Sequence, residues 1–361
     1  MFAKGLKNII TNETSISGID CLKGKIIYRG YDITFLVEQY SFEEVVYLLW
    51  FRKFPNHSEL SDFTKQLCAE RLLPSYIYNI IQVLPSNMHF MNQLETIISS
   101  LSTPSSTHTP YKESIRLAAA FPVIIAALYR KHMNMPIIHP DFQLSHIENF
   151  MYMLTGTVPH RIHVKDLETY LILTMEHGLN ASTFTARVIA STNSDMVSAV
   201  VGAIGALKGA LHGGALTEVL YMLYEVEDLQ HKDITAYLLQ KIQSKQKIMG
   251  FGHRMYQTKD PRSEQLKKLL LQTKNKDSLS QLAFFIETEG TRLLHAHKYA
   301  LYPNVDFYAA VVLKQIGLNP ILFTPTFSMS RIIGWIAHII EQREEHTIFR
   351  PKSKYVGDYY C

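Results

Sequence analysis

Three cysteines in 361 residues are too few for a disulfide framework, and Cys21, Cys68 and Cys361 lack the close spacing of metal ligands. With no recognisable signal peptide, the expected location is a reducing cytoplasm. Charge of one sign is scarce too. Lys plus Arg total 36 against 32 Asp plus Glu, a net +4, too small and too scattered for a nucleic-acid surface. Such a balance suits a protein that takes anionic small molecules into a local basic site. The longest apolar run, LAAAFPVIIAALY from Leu117 to Tyr129, contains Pro122. It is shorter than the roughly 20 residues a bilayer demands and reads as a buried helix. Neither a membrane nor a nucleic acid is expected as a partner.

Several catalytic signatures are absent. There is no HExxH and no paired-cysteine spacing, so no metal site is expected. The histidines of HAH, His295 and His297, would diverge by about 200° on a helix. No Gly-x-Ser-x-Gly elbow supplies a nucleophile, and the GFGH stretch lacks the Lys-Ser/Thr of a phosphate loop.

Helical periodicity is what the chain has in quantity, against 47% apolar and 19% charged residues. SFEEVVYLLWFRKFP predicts a helix with Ser41 as N-cap, Glu44 closing a capping box, and Val45, Leu48 and Leu49 on one face before Pro55. DLETYLILTMEHGLNASTFTARVIAST and SMSRIIGWIAHIIEQR carry apolar residues at i, i+3 and i+4. Strand-like alternation is confined to GKIIYRGYDI. The fold class is therefore mainly α. STPSSTHTP (Ser102–Pro110) and QTKNKDSLSQ read as surface loops. In SAVVGAIGALKGALHGGA, Ser198, Gly202, Gly205, Ala206 and Gly209 form a nearly bare helical face. Each helical glycine costs about 1 kcal/mol relative to alanine, so close approach of another helix, from this chain or a second copy, is the expected return.

Four polar islands interrupt the apolar helices: EHGLNAST around His177, LHGGA around His212, GFGHRMYQTKDPR around His253, and YPNVDFYAA around Asp306. Any one histidine has a structural explanation, but three beside bared backbone point to a site. Asp306, between Val305 and Phe307, reads as a partly desolvated base or as the cap of the helix that follows. Arg262, Arg331 and Arg350 lie in short motifs among helices, and converging guanidinium forks suit a substrate with two carboxylates. Acid/base and electrostatic catalysis on an anionic substrate fits best.

These motifs, in this order and over nearly the whole chain, resemble the citrate synthases in their short form. LKGALHGGA, GFGHRMYQTKDPR, NVDFYAA and FRPKSKYVG carry the resemblance. It implies a two-domain, almost all-α homodimer that condenses acetyl-CoA with oxaloacetate and hydrolyses the product to citrate and CoA, with no cofactor. A large domain would span 1–216, completed by 325–361, with a smaller mobile domain at 217–324. By resemblance, Asp306 is the base that removes the methyl proton, His212 the donor to the thioester oxygen and His253 the donor to the ketone. His177, Arg262 and Arg331 would bind oxaloacetate, with Arg350 reaching across the dimer. Lys247, Met249, Gly250, Phe251, Gly252 and Lys259 fall at positions implied to contact CoA.

Departures from the common pattern are Gln257 where a basic residue is usual, Met255, Leu216 and Thr217 after LHGGA, Ala210, and Phe90 after His89. All acid/base positions are retained. The alternatives are a 2-methylcitrate synthase using propionyl-CoA and a catalytically silent binding protein.

Overall fold

A computed structural model describes residues 3–6, 9–102, 110–273 and 277–358. Cys361, most of the predicted Ser102–Pro110 loop and the centre of the second predicted loop lie outside these. The described residues form sixteen α-helices and one three-stranded antiparallel sheet, β1 (Ser17–Asp20), β2 (Lys25–Tyr28) and β3 (Tyr31–Asp32). The strand-like stretch of sequence is thus the sheet, and the fold is mainly α as expected. No described helix is long and apolar enough to cross a membrane.

The centre is the Phe323–Glu345 helix, buried from Phe323 to Gln342 apart from Thr324. Around it pack the helices Phe42–Phe51, Pro110–His132, Arg161–Thr174, Ala181–Ala190 and Met196–Leu207. The Phe42–Phe51 helix starts as predicted: the Ser41 side chain accepts from Glu44 N while Glu44 receives the Ser41 N–H. It stops at Arg52, which takes a left-handed conformation three residues before Pro55. Trp50 from this helix donates to Ile333 O at 3.0 Å and pins it to the central helix.

The periodic stretch from Asp166 to Thr192 is not one helix. It breaks after Thr174, turns through Gly178 at φ 57°, and restarts under Asn180, whose side chain accepts from Thr183 N. The break places His177 in a turn rather than on a helix wall. The β-sheet fastens this turn: Tyr28 Oη donates to Glu176 O at 2.9 Å and Ser17 Oγ donates to Glu176 Oε1 at 2.8 Å.

The bare helical face finds its partners within the chain. A Cβ on Gly202 would lie 2.2 Å from Ile189 Cδ1 of the Ala181–Ala190 helix, and one on Gly205 would lie 3.0 Å from Glu95 Oε1. Gly209 falls beyond the helix end, in the turn before His212. Phe90 stands first in its helix behind the His89 N-cap, where proline needs no hydrogen bond and is commonly accepted. Leu216 is buried in the Ala215–Val226 helix.

Candidate active site

The loop from Gly250 to Asp260 is held against the start of the Val305–Gln315 helix. Gly252 N donates to Tyr302 O, Asn304 N to Gly250 O, and Asn304 Nδ2 to Gly252 O, each at 2.8 Å. Gly250 and Gly252 have φ of 78° and 85°, and a Cβ on Gly250 would lie 2.8 Å from Phe307 Cβ. Only glycine allows both that backbone and that approach. Asn304, not Asp306, caps the helix. Its side chain accepts from Asp306 N, and the Asp306 carboxylate takes no hydrogen bond from any described residue. The capping explanation of Asp306 is thereby replaced by that of a carboxylate left available in the first turn.

At its far end the loop is locked by Asp260. Oδ1 accepts from Arg262 N and Nε at 3.0 Å, and Oδ2 accepts from Arg262 Nη2 at 2.8 Å and Val305 N at 3.1 Å. One buried carboxylate therefore fixes both the arginine and the helix bearing Asp306. Although burial raises its pKa, the Arg262 guanidinium holds the Asp260 carboxyl below the usual range.

The three histidines are held neutral. Burial pushes His253 down to about 4, with Arg262 adding to the effect. Its Nδ1 accepts from Met255 N at 3.0 Å and Tyr256 N at 3.2 Å; these two shorter bonds, against Arg262 Nη2 at 3.4 Å from Nε2, place the proton of a neutral ring on Nε2. His177 lies 5.2 Å from His253, centroid to centroid, and its Nε2 is 3.1 Å from Tyr256 Oη. Burial, then Arg262 and Arg331, lower its pKa well below the ordinary value. Burial likewise brings His212 down to about 4, with Arg331 next. The His212 Nε2 lies 2.9 Å from Ser182 Oγ and accepts from Ser182 N at 3.4 Å. A backbone N–H can only donate, which leaves the His212 proton on Nδ1. Trp335 Nε1 steadies Ser182 Oγ at 3.1 Å.

Asp306 and Arg331 face this group with opposite chemistry. Burial raises Asp306 to about 6, Arg262 and Arg331 opposing the shift and Asp260 reinforcing it. Burial, then Arg262, lowers Arg331 to about 10, so it stays charged at neutral pH. Its Nε and Nη1 are buried without a hydrogen-bond partner among the described residues. Unsatisfied buried donors cost about 1–3 kcal/mol each, more when charged. Open donors on two sides of one charged guanidinium leave it able to receive carboxylate oxygens.

Beside the loop a cavity of about 250 Å³ is lined by residues including Lys245, Lys247, Ile248, Phe251, Tyr299 and Leu301. Apolar and aromatic walls with two lysines at the mouth suit a flat ring carrying anionic groups.

The family description "Citrate synthase, C-terminal domain" matches residues 5–352. The chain belongs to the citrate synthase family. Citrate synthase 2 of Bacillus subtilis is 39% identical over 364 residues, 98% of this chain and 95% of that protein. The 2-methylcitrate synthase 2 of Corynebacterium glutamicum is 37% identical, over 98% of this chain and 94% of that protein. A citrate synthase from the archaeon Thermoplasma acidophilum, solved as a ternary complex with carboxymethyl coenzyme A and oxaloacetate, superposes with a TM-score of 0.92 at 27% identity, covering all of this chain and 97% of that one. Citrate synthases are acyltransferases, and the helical fold of the family is the fold seen here.

Of the residues singled out in the sequence, His177, His212, His253, Arg262, Asp306 and Arg331 come together. Arg350 does not: it is exposed in the segment after the central helix, with Nη1 3.5 Å from Pro351 O. Lys247, Phe251, Gly250 and Gly252 line or border the cavity loop, and Met249 packs on the core. Lys259 is ion-paired with Glu264 at 3.2 Å, while Gln257 N donates to Cys21 O. Sequence reasoning missed Glu176, Ser182, Tyr256 and Asp260. Asp260 was signalled by its place before Pro261, an N-cap ahead of proline at the first helical position. The others are defined by partners far away in the chain.

Proposed function

We propose that the protein condenses acetyl-CoA with oxaloacetate and hydrolyses the thioester formed, giving citrate and CoA. The observation that carries this is a raised-pKa carboxylate, Asp306, set among three neutral imidazoles and a guanidinium with two unpartnered donors. Asp306 takes a methyl proton from acetyl-CoA, breaking the C–H bond, while His212 Nδ1–H stabilises the charge growing on the thioester oxygen. The nucleophilic carbon then forms the C–C bond with the ketone carbon of oxaloacetate, whose oxygen receives the proton of His253 Nε2. Water attacks the thioester of the adduct, the C–S bond breaks, and CoA leaves as the thiol. Arg331, Arg262 and His177 hold oxaloacetate, positioning its ketone against the attacking carbon. These steps use protein side chains alone and no cofactor.

The remaining assignments are proposed from the resemblance of this chain's motifs to the family. Coenzyme A lies along the Gly250–Gly252 loop, with its ring system in the cavity beside Phe251 and Lys247, and with Met249 and Lys259 nearby. Arg350 serves the site of a second copy in a homodimer. Residues 217–324 form the small domain, which closes on the large domain of 1–216 and 325–361 when oxaloacetate binds. The working location is the cytoplasm.

The second reading is a 2-methylcitrate synthase, since a relative of that name from Corynebacterium glutamicum is 37% identical, beside 39% for Citrate synthase 2 of Bacillus subtilis. One methylene in an apolar pocket is worth about 1–3 kcal/mol, so the two thioesters should differ measurably. Free-thiol release from acetyl-CoA and propionyl-CoA, each with oxaloacetate, separates them. Release that requires oxaloacetate, with the larger kcat/KM for acetyl-CoA, is the expected result. A larger value for propionyl-CoA would give the second reading, and no release from folded protein would overturn both.

A further inference from the structure

The central helix carries Arg331, Gly334 and His338 at i, i+3 and i+7, so all three lie on one face. Gly334 forms a notch in that face. A Cβ there would lie 2.5 Å from Glu176 Oε2 and 2.4 Å from Met175 O. The Glu176 carboxylate thus rests against the helix in the stretch that leads from His338 to Arg331. Its Oε1 receives three donors: Ser17 Oγ at 2.8 Å, Gly178 N at 2.5 Å and His338 Nε2 at 3.1 Å. Its Oε2 is buried without a hydrogen-bond partner among the described residues, as are Arg331 Nε and Nη1.

A buried carboxylate oxygen and two buried guanidinium donors therefore remain unpaired although their charges attract. An ion pair between them would relieve both desolvation penalties. Three donors fasten Oε1, and of these only His338 comes from the helix that carries Arg331. Arginine only donates, and Arg187 Nη1 lies 3.0 Å from His338 Nδ1. That nitrogen must accept, which places the proton on Nε2 and aims it at Glu176. Arg187 is itself anchored by Gln342 Oε1 at 2.9 Å and by Glu341 and Glu345 at 2.8 Å each.

We propose that His338 is a positioning residue that tethers Glu176 away from Arg331, keeping the guanidinium donors open for a carboxylate of the substrate. The inference rests on the reading of Arg331 as an oxaloacetate ligand. Without the tether, Glu176 turns to Arg331 and competes with oxaloacetate as an internal carboxylate. The hydrogen bond, not the imidazole, is what the site needs. Glutamine at this position offers Glu176 an N–H and Arg187 an acceptor.

Calorimetric titration of oxaloacetate into the purified full chain tests this with H338A, H338Q, E176Q and the double variant H338A/E176Q. H338A should raise the Kd about 10- to 100-fold, the worth of a hydrogen bond to a charged group. H338Q should bind close to wild type, and the double variant should recover most of the loss, because a neutral amide competes poorly for Arg331. In thiol-release assays H338A should raise the oxaloacetate KM far more than it lowers kcat. Should H338A not fold, His338→Asn, too short to reach Glu176, carries the same comparison. H338A binding like wild type, or a double variant as weak as H338A, would overturn the inference while leaving the proposed function intact. Wild-type protein that binds no oxaloacetate and releases no thiol would overturn the functional reading and this inference with it.

Discussion

Asp306→Asn should lower kcat for condensation about 10²–10⁴-fold, the contribution of a positioned general base, while oxaloacetate still binds. The asparagine keeps the size of the side chain and removes the proton acceptor. The Asn304 cap and the Asp260 clamp on Val305 N do not involve the Asp306 carboxylate, so the helix should form as before. Steady-state thiol release beside oxaloacetate titration checks both halves. The wild-type profile should show kcat/KM rising with pH through about 6, where Asp306 ionises, and this limb should vanish in the variant. Stability runs the other way in that window. The folded pKa of about 6 lies above the ordinary 3.8, so the folded state binds the proton more tightly and loses stability as pH rises between them. The favourable linkage is present at low pH and is gone above the folded pKa. A base raised by burial is thus maintained at the expense of stability where it works.

His212→Ala should lower kcat about 10²–10³-fold, the loss typical of one preorganised donor at a developing oxyanion. The effect comes from Nδ1–H, whose proton is fixed there because Ser182 N donates to Nε2. Oxaloacetate affinity should change little, since Arg331, Arg262 and His177 remain. A fall in oxaloacetate affinity matching the fall in kcat would instead make His212 part of the dicarboxylate site. With a pKa of about 4, His212 is neutral across the working range and should add no pH limb of its own.

The legible parts of the sequence were those whose meaning is local. The Ser41 capping box and the hairpin in GKIIYRGYDI depend on a few neighbouring residues, and each lies where spacing puts it. The polar islands were legible because helices rarely break at His-Gly without cause, and six of the seven marked histidines, arginine and acid positions converge. Apolar periodicity failed across Thr174–Asn180, where it runs through a turn stabilised by Tyr28 and Ser17, about 150 residues earlier. The bare face at Gly202 was read as room for a helix without saying which. Ile189, from the preceding helix, fills it. Asp306 as a cap could not be separated from Asp306 as a base until Asn304 was seen accepting the Asp306 N–H. Glu176 and His338 were invisible because their meeting spans 162 residues of chain and depends on a single missing side chain at Gly334.

Deuterium exchange into the methyl group of acetyl-CoA tests the central claim most directly. In heavy water, with a non-condensing dicarboxylate analogue of oxaloacetate bound, proton abstraction is seen apart from carbon–carbon bond formation. Asp306 acting as the base predicts methyl deuteration by the wild-type protein, falling to background with Asp306→Asn. Exchange that persists in the variant at the wild-type rate would contradict it.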